Sequence, residues 1–112
     1  MTEDAASRIA ARLADLWRTS RPTILERVGI LHFACDALTR NPGDAKARSS
    51  GLEAAHKLAG VLGMFGLPQG SETASLIEFQ LKPGEPLTAE VLSTLRDQIT
   101  ALDAMIASRG EI

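Results

Sequence analysis

The chain has 112 residues, 45% of them hydrophobic, which is enough to build one core, so we expect residues 1–112 to form a single domain. The formal net charge of −2 provides no basic surface and therefore argues against nucleic acid or an anionic membrane as a partner. The single cysteine, Cys35, cannot form an internal disulfide, and no Cys/His cluster has the spacing of zinc ligands.

Tyrosine is absent and aromatic residues make up only 4% of the chain, while Ala, Leu and Ile are frequent. This composition favours helices packed on helices, so the predicted fold class is all-α. The N-terminal residues lack the apolar stretch of a secretory signal, which predicts a cytoplasmic protein. The longest nearly apolar run, from Leu58 to Leu67, is too short to cross a bilayer, so no membrane span is expected.

The first predicted element is a short amphipathic helix from about Thr2 to Arg18, with Trp17 on its apolar stripe. A large aromatic on such a stripe more often packs in a core than docks a partner, so Trp17 is expected to be buried. A break follows, since Pro22 fits the first turn of a new helix and Ser20 precedes it as a cap. The stripe of the first helix is formed by Ile9, Leu13, Leu16 and Trp17.

The second predicted helix runs to about Thr39 and places Cys35 on its apolar stripe, so Cys35 is expected to be buried. His32 lies at the edge of that stripe. It either titrates functionally or is a boundary histidine paired with a carboxylate such as Asp36. The stripe comprises Ile24, Val28, Leu31, Cys35 and Leu38.

A third helix is predicted from Pro42 to about Phe65, with Asn41 as its cap and Gly66 as its left-handed stop. A fourth helix ends before Pro83, and its core side is lined by Leu67, Gly70, Ala74, Ile77 and Leu81. Leu76 and Phe79 point elsewhere, where they either cover a neighbouring helix or dock a partner.

A last helix is predicted from the cap Thr88 to about Ser108, followed by Gly110, and its core candidates are Val91, Leu95, Leu102 and Met105. Short connections favour antiparallel neighbours. The expected architecture is therefore an up-down-up-down antiparallel four-helix bundle with an additional short N-terminal helix.

The third helix contains the most informative stretch, AAHKLAGVLGMFGL. At 100° per residue, one side carries Ala47, Gly51, Ala54, Leu58, Leu62 and Phe65, and His56 falls on the opposite side. His56 is therefore expected to project outward. A neutral imidazole is a good nitrogen nucleophile, and phosphoryl transfer demands mainly positioning and charge stabilisation, so a single exposed histidine suffices for that chemistry.

Four neighbours of His56 are candidates for support of a bound phosphoryl group. Gly60 and Gly63 either leave access to the imidazole or merely permit close helix packing. Lys57 either brings its ammonium toward the phosphoryl group or is simply solvated. Glu53, one turn before His56, either accepts the second imidazole N–H and fixes the tautomer or is a solvated neighbour.

Other chemistries find little support in the sequence. The glycines at positions 60, 63 and 66 match neither a dinucleotide-binding nor a Walker pattern, and neither an HExxH motif nor a serine nucleophile elbow is present. No second histidine is placed to bind metal with His56, so no cofactor or metal is expected on this chain.

The segment AHKLAGVLGMFGL resembles the histidine phosphotransfer (HPt) family, and GSETASLIE continues that pattern into the next helix. The matching residues are Ala55, His56, Leu58, Gly60, Leu62, Gly63, Phe65 and Gly66. The resemblance implies a four-helix bundle in which His56 accepts a phosphoryl group and relays it between receiver-domain aspartates. It further implies a phosphocarrier without its own ATP site, whose partners are a response-regulator receiver domain and a hybrid histidine kinase, with Mg²⁺ held by the receiver.

Two positions depart from the family pattern, since Ala59 stands where a lysine is usual and Val61 where a small residue is usual. The chain looks like a family variant with lysine directly after the histidine, so Lys57 is the candidate for the missing charge. Two rival hypotheses remain: an adaptor with the same bundle that binds a receiver or kinase without transferring phosphate, and a helical bundle of unrelated function. One exposed histidine per chain predicts a monomer, although Leu76 and Phe79 leave self-association open.

Overall fold

The computed structural model describes residues 3–110, which form four α-helices: α1 Glu3–Arg40, α2 Ala45–Met64, α3 Pro68–Leu81 and α4 Ala89–Arg109. The described part contains no β-strand, so the predicted all-α class is confirmed. Thr2, where the first helix was predicted to begin, and residues 1, 111 and 112 of the predicted domain lie outside the described range.

The helices form a ring in which α1 packs on α2, α2 on α3, α3 on α4 and α4 on α1. Side-chain pairs show the helix directions: His32 bonds to Asp103 and Asp36 to Arg96, so rising numbers on α1 meet falling numbers on α4. The same antiparallel order relates α2 and α3. The up-down-up-down bundle expected from the short connections is therefore present.

The prediction of a separate N-terminal helix is wrong, because α1 is one continuous helix of 38 residues that passes through Pro22. A proline inside a helix removes one backbone hydrogen bond and clashes with the preceding turn, at a cost of about 3 kcal/mol. Pro22 lies on the exposed side of α1, while Trp17 and Ile24 on either side of it are both buried. Burial of the apolar stripe that contains Trp17 and Ile24 therefore stabilises the continuous helix by more than Pro22 destabilises it.

The N-terminal part of α1 extends beyond the bundle. At 1.5 Å per residue α1 is roughly 55 Å long, whereas the 20 residues of α2 span about 30 Å. The molecule accordingly measures 54 × 21 × 20 Å. The predicted first stripe is therefore exposed at Ile9, Leu13 and Leu16, since no other helix reaches that height.

Trp17 closes the end of the core, as predicted, and is fully buried. Its indole Nε1 donates a hydrogen bond of 2.6 Å to the carbonyl of Gly110. Its ring meets Phe65 edge-to-face, with centroids 5.3 Å apart. Cys35 is also buried, and this burial raises the pKa of its thiol above 9.0.

Three local predictions require correction. The N-cap of α2 is Asp44, whose carboxylate accepts from the Ala47 amide at 3.0 Å, so α2 begins at Ala45 and not at Pro42. The predicted cap, Asn41, instead accepts from the amide of Gly43 in the preceding turn. His32 pairs with a carboxylate, but the partner is Asp103 of α4 and not Asp36. A partner on another helix cannot be predicted from residue spacing within one helix.

The ends of the other helices match the predictions closely. Gly66 and Gly110 have φ of +75° and +73°, the left-handed conformation that favours glycine after a helix. Thr88 caps α4 through the Val91 amide.

Two residues of α4 predicted to be in the core, Val91 and Met105, are only partly buried. The interior positions beside Leu95 and Leu102 are taken by Leu92, Ile99 and Ile106.

Candidate functional site

The two-faced character of α2 is confirmed. The side opposite His56 is buried and forms part of the core at Ala47, Gly51, Ala54, Leu58, Leu62 and Phe65. The imidazole of His56 projects outward and is 74% exposed. The apolar side fixes the rotation of α2 in the bundle, and this rotation in turn places His56 on the surface.

One side chain from another helix holds the imidazole. The Nδ1 atom of His56 lies 2.8 Å from Oε2 of Glu78 on α3. An ionised carboxylate only accepts hydrogen bonds, so Nδ1 is the donor and carries the proton. In the neutral ring the lone pair is then on Nε2, for which no residue between 3 and 110 provides a hydrogen-bond partner. The carboxylate thus leaves one specific nitrogen available to react.

Glu78 takes the role that spacing within α2 predicted for Glu53. A weak signal was present in the register: His56 lies eight residues before the end of α2, and Glu78 lies ten residues after the start of α3. Two antiparallel helices joined by a three-residue connection bring these positions to a similar height. Spacing within α2 alone favoured Glu53 because a residue at i−3 is always a neighbour on the same helix.

Glu53 and Lys57 pair with each other and not with His56. The Nζ atom of Lys57 donates to Oε1 of Glu53 at 2.8 Å, an i,i+4 pair at the surface. The hydrogen bond from Lys57 lowers the pKa of the Glu53 carboxyl below its ordinary 4.5, although the Glu53 side chain is 67% exposed. The ammonium predicted to face a phosphoryl group is therefore occupied by a carboxylate on the outer face of α2.

The two glycines that follow His56 differ in their surroundings. Beyond its own chain neighbours and helix backbone, a Cβ added at Gly60 would have no atom of the described chain within 4 Å. A Cβ at Gly63 would lie 3.3 Å from Oγ of Ser71, which itself bonds to the carbonyl of Ala59 at 2.6 Å. Gly63 thus permits close packing of α3 on α2, whereas packing does not explain Gly60.

A second apolar edge is present on α3. Leu76 and Phe79 are 50% and 55% exposed, so they do not cover a neighbouring helix. The ammonium of Lys82 lies 5.9 Å from the centre of the Phe79 ring, within the range of a cation–π contact.

Residues 3–110 contain neither a metal-binding cluster nor a membrane-spanning helix. They include no group of three or more His, Cys, Asp or Glu side chains arranged to hold a metal ion. None of the four helices is both long and apolar enough to cross a membrane.

A comparison with protein-family models identifies one family. The sequence model described as "Hpt domain" matches residues 11–105. A curated relative, "Protein RcaC" of Microchaete diplosiphon, is 30% identical over 99 residues, which cover 88% of this chain and 15% of RcaC. The chain therefore matches one short segment of a much longer relative. No solved structure gives a significant match.

Proposed function

The chain belongs to the Hpt domain family, the histidine phosphotransfer modules of phosphorelays, and we propose that His56 is the residue that accepts and passes on the phosphoryl group. The observation that carries this proposal is the bond between His56 and Glu78. It joins an exposed imidazole to a carboxylate that keeps the proton on Nδ1 and leaves Nε2 free to attack.

The proposed reaction starts from an aspartyl phosphate on a receiver domain. The Nε2 lone pair attacks phosphorus, the N–P bond forms, and the bond between phosphorus and the aspartate oxygen breaks, so that the aspartate leaves as a carboxylate. The ring keeps its proton on Nδ1 and becomes cationic, and the carboxylate of Glu78 balances that charge. The same steps in reverse deliver the group to a second receiver aspartate.

The partners proposed for this transfer are response-regulator receiver domains and a hybrid histidine kinase. The Mg²⁺ ion is assigned to the carboxylates of the receiver, since hard oxygen ligands and phosphate oxygens suit it. We assign no ATP site to this chain. Gly60 and Gly63 lie inside α2, whereas a phosphate-binding loop precedes a helix N-terminus, and the connection 65–67 before α3 contains one glycine, Gly66. The chain is proposed to act in the cytoplasm as a monomer with one phosphoacceptor.

The test is a transfer assay with purified components. A receiver domain labelled on its aspartate is mixed with this protein in the presence of Mg²⁺, and label on the protein is followed with time. Phosphohistidine is labile in acid and stable in base, so the label is expected to show that stability. Binding of the receiver without any transfer of label would instead favour the adaptor.

Removal of the Glu78 carboxylate is expected to slow transfer. In Glu78→Ala the proton on Nδ1 loses its acceptor, and by analogy with residues that orient a reactive histidine we expect a decrease of about 10-fold or more in the single-turnover rate. Glu78→Gln keeps an amide oxygen as acceptor and should retain part of the rate. Glu72→Gln, which alters an exposed carboxylate elsewhere on α3, is the control. Equal rates in wild type and Glu78→Ala would contradict the positioning role.

We expect that a side chain at position 60 would obstruct the partner's access to His56. Gly60→Gln should stabilise the helix by about 0.5–1 kcal/mol, because a glycine inside a helix is destabilising and the site has open space. The added bulk next to His56 should nevertheless block transfer. Both quantities are measured on the same sample, by urea unfolding and by the transfer assay.

Gly29 provides a matched control for this substitution, because it also lies inside a helix, is exposed, and has open space around the position of a Cβ. Gly29→Gln should stabilise the protein by a similar amount and leave transfer unchanged. Unaltered transfer by Gly60→Gln would refute the access argument.

A further inference from the structure

Arg48, near the start of α2, binds the end of α3. Its Nε donates to the carbonyl of Leu81 at 2.9 Å, and its Nη2 donates to the carbonyls of Lys82 at 2.5 Å and of Glu85 at 2.6 Å. A helix leaves its last carbonyls without helical partners, and a cation there also interacts favourably with the helix dipole. The last turn of α3 contains no basic residue of its own. Arg48 therefore caps, from a neighbouring helix, the carbonyl of Leu81, the last residue of α3.

This cap lies on the same pair of helices as the His56–Glu78 bond. Arg48 and His56 are both on α2, eight residues or about 12 Å apart. Leu81 and Glu78 are both on α3, three residues apart. Side-chain bonds thus connect the two helices at three places: Ser71 to the Ala59 carbonyl near the 65–67 connection, Glu78 to the exposed imidazole, and Arg48 to the far end of α3.

The end of α3 that carries Glu78 needs such a connection. Its other end is joined to α2 through the short segment 65–67, whereas residues 82–88 after α3 form no helix. Leu81 packs closely over Gly51, where an added Cβ would lie 3.0 Å from Leu81 Cδ1. This apolar contact sets the distance between the helices, but dispersion contacts are non-directional and resist a small sideways displacement of this end weakly. Three directional hydrogen bonds oppose that displacement.

We propose that Arg48 is a positioning residue for His56: its bonds hold the far end of α3 on α2 and so keep Glu78 against Nδ1. Without them, the far end of α3 moves sideways on α2 and the Glu78 carboxylate leaves bonding distance. The neutral ring of His56 then favours the proton on Nε2, as a free imidazole does in water, and the nitrogen that reacts loses its lone pair. The inference rests on the proposed function only in taking Nε2 as the reacting atom.

The test measures the tautomer of His56 directly. In ¹⁵N-labelled, unphosphorylated full-length protein, correlations between ring nitrogens and ring carbon-bound protons report whether Nδ1 or Nε2 carries the proton. Wild type is expected to show mainly Nδ1–H. Arg48→Met, which keeps length but removes all three bonds, is expected to shift the neutral ring toward Nε2–H and to slow transfer by up to about 10-fold.

Arg48→Lys is the second variant, because it keeps the charge but a single ammonium on a shorter reach cannot reproduce the planar guanidinium fork. It is expected to shift the tautomer of His56 in the same direction. It also provides the measurement if Arg48→Met does not fold. The control is Arg96→Met. It removes two bonds between helices, to Asp36 at 2.9 Å and to Thr39 at 3.2 Å, on the α1–α4 side of the bundle. It should leave the tautomer of His56 unchanged.

The possible outcomes separate this inference from the proposed function. A wild-type tautomer in a folded Arg48 variant overturns the positioning role even if wild type transfers phosphate normally. A shifted tautomer in the Arg48 variants, together with absence of transfer by wild type, supports the positioning role and rejects the proposed function. A shifted tautomer with an unchanged transfer rate overturns the link between Arg48 and the reacting nitrogen.

Discussion

His56→Gln is expected to reduce phosphoryl acceptance to background while the helical fold persists. The imidazole is 74% exposed and contributes no core contact, so its replacement should change the free energy of unfolding by no more than about 0.5 kcal/mol. An amide side chain has no nucleophilic nitrogen lone pair. The measurement is label transferred from a phosphorylated receiver domain, with circular dichroism to verify the helical content.

His32 provides the matched control for this substitution. It is the other histidine of the chain, and its Nε2 is bonded to Asp103 at 2.6 Å. His32→Gln is expected to accept phosphate at the wild-type rate. Acid-labile label that persists in His56→Gln and disappears in His32→Gln would move the phosphoacceptor to α1 and refute the assignment to His56.

Trp17→Ala is expected to be the most destabilising single substitution considered. Trp17 is fully buried, contacts the Phe65 ring, and bonds to the carbonyl of Gly110. Truncation of a buried tryptophan typically costs about 3–5 kcal/mol through lost burial and the cavity that remains. It also leaves the Gly110 carbonyl without its indole donor. The midpoint of urea unfolding should fall accordingly, with little change in slope.

Leu16→Ala is the control for Trp17→Ala, since Leu16 is the preceding residue of the same helix and is exposed. Its effect on the free energy of unfolding is expected to stay within about 0.5 kcal/mol. Similar destabilisation by the two substitutions would show that the part of α1 before Trp17 is also packed in solution, contrary to the structure. The folded fraction of Trp17→Ala should still accept phosphate on His56.

For Lys57, helix geometry alone predicts the position of the residue but not the partner of its side chain. A helix wheel places Lys57 beside His56, and this placement is what the structure has. The wheel does not say which of several neighbouring groups a flexible side chain will bind. Lys57 binds Glu53, the carboxylate that had been expected to orient the imidazole. Whether Lys57 leaves Glu53 for a bound phosphoryl group stays a prediction, and transfer by Lys57→Ala is its test.

In the N-terminal region, local propensity predicts a helix boundary that the structure does not have. Ser20 and Pro22 both favour a helix boundary, so local propensity predicts a break there. The structure continues the helix because Trp17 and Ile24 are buried on one stripe across that point. Conversely, the apolar stripe at Ile9, Leu13 and Leu16 predicted a packed helix, but periodicity shows which side is apolar and not whether another helix reaches it.

The sequence correctly predicts the all-α class, the two faces of α2, the outward direction of His56 and the glycine stops after α2 and α4. These follow from helical periodicity and backbone conformation, which depend on residues a few positions apart. The contacts of Glu78 with the imidazole, of Arg48 with the end of α3 and of Asp103 with His32 are found only in the folded protein. Each of these contacts joins two helices, and its partner is set by the axial position and rotation of both, which no local spacing encodes.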